Sequence, residues 1–321
     1  MPESPQKLLS LIVPVYNEAA MLEAFLTALD DHLKPLPVGV EILLVDDGST
    51  DGSWELLSRL QEQIPGITLI RFTRNFGKEA AILAGLERCT GDAAIVMDAD
   101  LQHPPSLLQQ MSDVWLAGGV DVVDGIKVYS GDPAGVNRFS SQLFNRLFEH
   151  MTGFNMSGAS DYKLLDRRVI DSLVSLGDYN LFFRGTTLWM GFVHRHLEFE
   201  VGERSLGDTK WNVMSRLGLA ITAITSFTSA PLHLMTLVGL LSLAFAFLLG
   251  LQTLYMWVNG HAVEGFTTVI MLLLFFGSMI TLGLGIIGAY LSKIHDEVRG
   301  RPRYIVDTVF PEDRSRENNG R

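Results

Sequence analysis

The chain has 321 residues, of which 47% are hydrophobic, with a formal net charge of -11 and one cysteine. That apolar share allows one sizeable domain plus a segment more hydrophobic than an ordinary core, and the acidic balance gives no support to nucleic-acid binding. Cys89 alone excludes an intrachain disulfide and a cysteine-based metal site.

The N-terminal MPESPQK lacks the apolar core of a signal peptide, so the first domain is expected to stay in the cytoplasm. Ser10 to Val15 is a short β-branched run containing Pro14, followed by Tyr16, Asn17 and Glu18, and a helical pattern runs from Met21 to Leu33. VEILLVDDGSTDGSW repeats that grammar: an apolar run, then Asp46 and Asp47, then a turn in which Asp51 or Ser53 can cap a helix over Ser53 to Gln63. Ile67 to Phe72 leads into TRNFGKEAA and a helix over Lys78 to Arg88. Ala93 to Met97 leads into Asp98, and a fourth helical stretch covers Pro105 to Trp115. Strands alternating with helices predict βαβ units and a largely parallel sheet. In such a sheet ligands sit at the carboxyl ends of the strands, where every polar cluster named so far falls.

The most informative of these clusters is Asp98 with Asp100 in AAIVMDADLQHPP. Along a strand, positions i and i+2 point to the same side. Two carboxylates so placed can share a hard divalent cation whose other ligands are waters and phosphate oxygens. That arrangement suggests a nucleotide-diphosphate substrate.

The C-terminal third carries the excess hydrophobicity. Leu232 to Val258 is 27 residues without Asp, Glu, Lys or Arg, and Gly265 to Ser292 is 28 more; about 20 suffice to span a bilayer. Lys210 and Arg216 precede the first run, Lys293, Arg299, Arg301 and Arg303 follow the second, and the loop Asn259 to Glu264 has no Lys or Arg. The positive-inside bias then puts both termini in the cytoplasm. Over Trp211 to Ala230, Val213, Leu217, Ile221, Ile224 and Phe227 recur at helical spacing, which fits an amphipathic helix on the membrane surface or a helix packed on the domain; its place just before a span favours the first. The expected organisation is a catalytic domain over 1–210, an interfacial helix over 211–230, a hairpin of two membrane helices over 231–292 and a tail over 293–321. Gly283, Gly285 and Gly288 spell a dinucleotide fingerprint but lie inside an apolar run with no strand before them, so helix packing explains them better.

The ordered set VPVYNEA, VDDGSTDGS, RNFGKEAA and MDADLQHPP resembles the family 2 glycosyltransferases of the Rossmann-like GT-A fold. With SDYKLLDRR, FFRG and RSLGDTKW the chain looks, more narrowly, like the polyisoprenyl-phosphate glycosyltransferases. The resemblance implies that Pro14, Tyr16, Glu18 and Asp46 bind the donor nucleotide, with Asp47 a turn residue or a weaker contact. It implies that Asp98, Asp100 and Gln102 hold Mg²⁺ or Mn²⁺ against the diphosphate, with Asp98 and Asp100 as the metal ligands. Arg204, Lys210 and Arg138 would bind the acceptor phosphate, while Lys127 stands where the family pattern has an arginine. Asp161 matches an acidic residue often assigned as catalytic base. The implied reaction is an inverting transfer from a nucleotide sugar to a polyprenyl phosphate at the inner membrane by a homo-oligomer, a tetramer. UDP-glucose is the first expectation for the donor; UDP-GlcNAc, an aminoarabinose donor and GDP-mannose are alternatives. A processive polysaccharide synthase shares the nucleotide motifs, but the Q-x-x-R-W segment expected of one is missing.

Overall fold

The computed structural model describes residues 7–61, 66–128, 149, 158–179, 181–200, 229–259 and 265–311. The chain divides into two compact units, one of residues 1–210 with 301–321 and one of residues 211–300.

The first unit is built on β1 (Leu8–Val15), β2 (Gly39–Asp46), β3 (Ile67–Phe72), β4 (Ala93–Val96), β5 (Val122–Val128), β6 (Ala159–Asp166), β7 (His194–Glu200) and β8 (Val306–Phe310). They form one sheet in the order β7-β5-β6-β4-β1-β2-β3-β8. β4, β1, β2 and β3 run parallel, as the alternation of strands and helices predicts. β6 runs antiparallel to both of its neighbours and β8 antiparallel to β3.

The connecting helices are α1 (Ala19–Leu33), α2 (Ser53–Gln61), α3 (Lys78–Leu86), α4 (Leu107–Leu116), α5 (Arg167–Ser175) and α6 (Phe183–Trp189). α1 buries Leu22, Phe25, Leu26 and Leu29, one stripe at helical spacing. Leu9, Leu11, Val13 and Val15 of β1 pack in a cluster with α1 and α4, while Ile12 packs with α3 and α5 on the other side. A central strand covered on both faces needs a nearly continuous apolar sequence, and LLSLIVPV supplies it, its one polar side chain, Ser10, being buried and bonded to Glu41. On the antiparallel side, buried Lys163 of β6 pairs with Asp124 of β5, and His194 Nδ1 of β7 lies 2.6 Å from the same carboxylate, which ties three strands together.

The tail holds a feature that its sequence does not announce. β8 completes the sheet edge; Tyr304, just before it, stacks on Phe72 with ring centroids 4.8 Å apart, and Phe310 stacks on Trp54 at 6.1 Å. The tail expected over 293–321 is thus part helix, up to Val298, and part sheet edge.

The second unit contains α7 (Ala230–Val258) and α8 (Phe266–Val298). Within them Pro231–Met256 and Val269–Val298 are long and apolar enough to cross a bilayer, and neither is buried inside the protein. Most of the stretch read as an amphipathic helix over 211–230 lies outside the described residues.

Candidate active site

The site is a cavity of about 270 Å³ at the carboxyl ends of the parallel strands. Pro14, Val15, Tyr16 and Glu18 line it from the end of β1, Asp47 from the end of β2, Asn75, Gly77 and Lys78 from the loop into α3, and Asp98, Ala99 and Asp100 from beyond β4.

Each wall has a local cause. Asn17 adopts φ 55, which its short polar side chain tolerates; its N–H donates to Ser49 Oγ at 2.9 Å and its Oδ1 accepts from Thr50 N at 2.8 Å. The ends of β1 and β2 are thereby locked together. Gly48 has φ 68, and a Cβ there would come within 2.6 Å of the Arg74 carbonyl carbon, so the β2 turn can touch the β3 loop only as glycine. Asp47 accepts from the N–H groups of Phe76 at 2.6 Å and Gly77 at 2.9 Å, so its carboxylate shapes the loop into α3.

The acidic pair departs from the sequence argument in one respect. β4 stops at Val96, so Asp98 and Asp100 sit on a turn rather than on a strand. Leu101 takes φ 58, an uncommon conformation for a leucine, while its side chain packs against the core. Asp100 Oδ1 accepts from Gln102 N at 3.0 Å, closing the turn. Gln102 thus contributes its backbone here, and its side chain does not line the cavity. Asp98 N donates to His103 Nδ1 at 3.0 Å, which requires the proton of the neutral ring to sit on Nε2. Burial draws the His103 imidazole down to about 4, so it is neutral and serves to fix the turn.

Around this pair lies a charge cluster. Lys78 Nζ, at the first residue of α3, is 2.6 Å from Asp98 Oδ1 and 2.6 Å from Asp161 Oδ2. Arg184 grips Asp161 with two bonds, Nε to Oδ1 at 2.5 Å and Nη2 to Oδ2 at 2.7 Å. Burial opposes charge on Asp161, yet Lys78 and Arg184 overcome it and hold the carboxyl far below the ordinary range. Burial opposes charge on Lys78 too, but Asp98 and Asp161 raise its net pKa above the ordinary lysine value. Burial and then Asp98 push Asp100 upward, the mark of two carboxylates in one small space. Burial, with Asp161 next in weight, lifts Glu79 to about 7; its carboxylate accepts from Phe183 N at 3.1 Å and steadies the start of α6. Lys127 is drawn down by burial while remaining in the field of Asp98 and Asp100.

Pro14, Tyr16, Glu18, Asp98 and Asp100 line this one cavity. Asp161 adjoins them through Lys78. Asp46 does not line the cavity: it is wholly buried, with Oδ1 accepting from Ser49 N at 3.1 Å and Oδ2 lying 3.5 Å from Arg71 Nε. Arg138, Arg204 and Lys210 lie outside the described residues. Sequence reasoning gave no role to Lys78, Glu79 and Arg184, although the motifs RNFGKEAA and FFRG contain all three.

The donor set fits a hard divalent cation. It offers two carboxylates on one open cavity, and Mg²⁺ or Mn²⁺ bound with a nucleotide commonly takes one or two carboxylates, waters and phosphate oxygens. Among the described residues no group of three or more His, Cys, Asp or Glu could close a metal cage.

The glycosyl transferase family 2 model matches residues 10–173. An uncharacterized glycosyltransferase of Synechocystis sp. is 34% identical over 94% of this chain and 95% of its own length. The bactoprenol glucosyl transferase of Shigella phage SfII is 32% identical over 93% of this chain and 97% of its own. Among solved structures, glucosyl-3-phosphoglycerate synthase of Mycobacterium tuberculosis, in complex with Mn²⁺, UDP and glucosyl-3-phosphoglycerate, aligns at a TM-score of 0.47 and 19% identity over 69% of this chain and 80% of that one. Motifs, family match and full-length relatives together place the chain in glycosyl transferase family 2.

Proposed function

We propose that this glycosyltransferase moves a sugar from a nucleotide sugar to a polyprenyl phosphate, with UDP-glucose and undecaprenyl phosphate as the first pair to test. The observation that carries the reading is the pair Asp98 and Asp100 on one cavity with Lys78, which ties Asp98 to Asp161 and through it to Arg184. Acidic groups suit a metal-bound diphosphate, and the adjoining cations suit an incoming phosphate. The polyprenyl acceptor is supported by the bactoprenol glucosyl transferases that align over nearly the whole chain and by two helices able to cross a bilayer.

Pro14, Tyr16 and Glu18 would hold the nucleoside, and Asp98 and Asp100 would hold Mg²⁺ or Mn²⁺. A divalent cation there would neutralise the charge that builds on the departing nucleoside diphosphate. The acceptor phosphate has a second pKa of about 6, so near pH 7 it is mostly a dianion and needs little help from a base. Asp161, held ionised by Lys78 and Arg184, acts as their anchor rather than as a proton acceptor. Arg138, Arg204 and Lys210 would complete the phosphate site. One direct displacement inverts the anomeric carbon.

β8 belongs to the same sheet as β1, so the chain leaves and rejoins one domain around the two apolar helices. That supports both flanks of the hairpin lying on one side of the membrane, and the basic residues beside them favour the cytoplasm.

The test is to incubate the full-length protein in detergent with undecaprenyl phosphate, a divalent cation and a panel of nucleotide sugars, and to weigh the lipid product. A single hexose on the lipid phosphate, lost with EDTA, supports the reading. Sugar polymer as the product points to a processive synthase, and free sugar alone sinks the lipid acceptor.

A further inference from the structure

Lys78 stands where it can control when the metal site fills. Its ammonium lies 2.6 Å from one oxygen of Asp98, an expected metal ligand, and 2.6 Å from Asp161. Asp161 is also clamped by both arms of Arg184, so the lysine is held from the far side and is not a loose surface charge. Lys127 adds a third cation whose field reaches Asp98 and Asp100. Lys78, Arg184 and Lys127 offset the charge of Asp98, Asp100 and Asp161, while Glu18 and Asp47 on the same cavity leave the crevice acidic before any ligand arrives. A free divalent ion meets an ammonium already bonded to one of its ligands, and displacing it offsets part of the attraction that the carboxylates offer. A nucleoside diphosphate brings further oxygen ligands for the cation and a phosphate charge that can take over the ammonium.

We propose that Lys78 is a positioning residue that makes metal binding depend on the nucleotide diphosphate: it occupies Asp98 in the resting site, suppresses loading by free cation, and yields that oxygen when cation and diphosphate arrive together. The inference rests on the metal-assisted donor site proposed above and adds an order to its assembly. Because coupling between ligands is reciprocal, the nucleotide must tighten the metal by the same factor as the metal tightens the nucleotide. Lys78 sets that factor through the competition at Asp98.

The test measures Mn²⁺ binding to the full-length protein in detergent from the loss of the free Mn²⁺ paramagnetic signal, with and without UDP, so that turnover is not the readout. In the wild type, UDP is expected to tighten Mn²⁺ by roughly tenfold or more. In Lys78→Met, Mn²⁺ alone should bind roughly 10- to 100-fold tighter than in the wild type, and the effect of UDP should shrink to match. Lys78→Arg keeps the charge, and its Mn²⁺ binding without UDP should stay as weak as the wild type. If Lys78→Met fails to fold, Lys78→Gln and the wild-type coupling carry the test, because equal Mn²⁺ affinity with and without UDP in the wild type overturns the proposal by itself. Mn²⁺ bound no more tightly by the Met or Gln variant, while the wild type binds Mn²⁺ with UDP, overturns the inference and leaves the donor site standing. No Mn²⁺ binding under any condition in the wild type overturns both.

Discussion

Asp161→Asn separates the two roles open to this residue, anchor or base. The carboxylate is 3% exposed and accepts three charge-assisted bonds, from Lys78 and from both arms of Arg184. Removing one partner of a fully buried ion pair costs about 3–5 kcal/mol. The Lys78 and Arg184 side chains are 37% and 36% exposed, so water takes up part of the stranded charge and about 1–3 kcal/mol is expected. At about 2–4 °C per kcal/mol for a domain of this size, melting should fall by roughly 2–12 °C. The folded carboxyl is held below its ordinary value, so its stabilisation is present above the ordinary carboxylate pKa and lost only as pH falls through the folded one. The Asp161 contribution itself is therefore constant from pH 6 to 8, and the difference in melting temperature should narrow only as Glu79, which Asp161 helps to lift to about 7, ionises in the wild type. Turnover should fall on the order of 100-fold through misplacement of two cations, while nucleotide affinity changes little. The kcat profiles of wild type and variant over pH 6 to 8 should have the same shape, and Asp161→Asn with Arg184→Met should be hardly slower than Asp161→Asn alone, as for residues acting as one unit. A wild-type profile that rises with a carboxylate-like slope and becomes flat in Asp161→Asn, or losses that multiply in the double variant, would refute the anchoring role.

Other outcomes follow from the same geometry. Asp98→Asn and Asp100→Asn should each lower kcat by roughly 100-fold or more at saturating donor, since charge stabilisation of the leaving group acts in the transition state; a change confined to KM speaks against it. Glu79, lifted to about 7, keeps its proton more firmly folded than unfolded, so its penalty on stability develops as pH rises from about 4.5 to about 7. Glu79→Gln, which still offers Phe183 N an acceptor, should match the wild type near pH 5 and exceed it above pH 7 by about 1–3 kcal/mol, read as melting temperature against pH. Tyr304→Ala removes the ring stacked on Phe72 and should cost about 1–3 kcal/mol in thermal unfolding of the full chain.

The sequence exposes the parallel half of the sheet because each strand there is an apolar run closed by a polar turn, and the turn residues themselves, Asn17, Asp47 and Gly48, prove to join neighbouring strand ends. It hides β8, since VDTVF is short, carries an aspartate, and becomes a strand only by finding β3 more than 230 residues away. It likewise hides the charge cluster. Lys78 opens a helix and Arg184 sits in another, and each reads as an ordinary solvated cation until the fold brings both to Asp161, which lies on a strand between them in sequence. Asp46 is the opposite case. Its motif points to a ligand, whereas the fold buries the side chain, with Ser49 N donating to Oδ1 and Arg71 Nε 3.5 Å from Oδ2.

The most direct test of the central claim is a structure of the full-length protein with UDP and Mn²⁺ in which anomalous scattering locates the metal. The account predicts one manganese bonded to Asp98 and Asp100 and to the UDP diphosphate, in the cavity beside Tyr16 and Glu18. UDP seated there without metal, or manganese held away from both carboxylates, would contradict it.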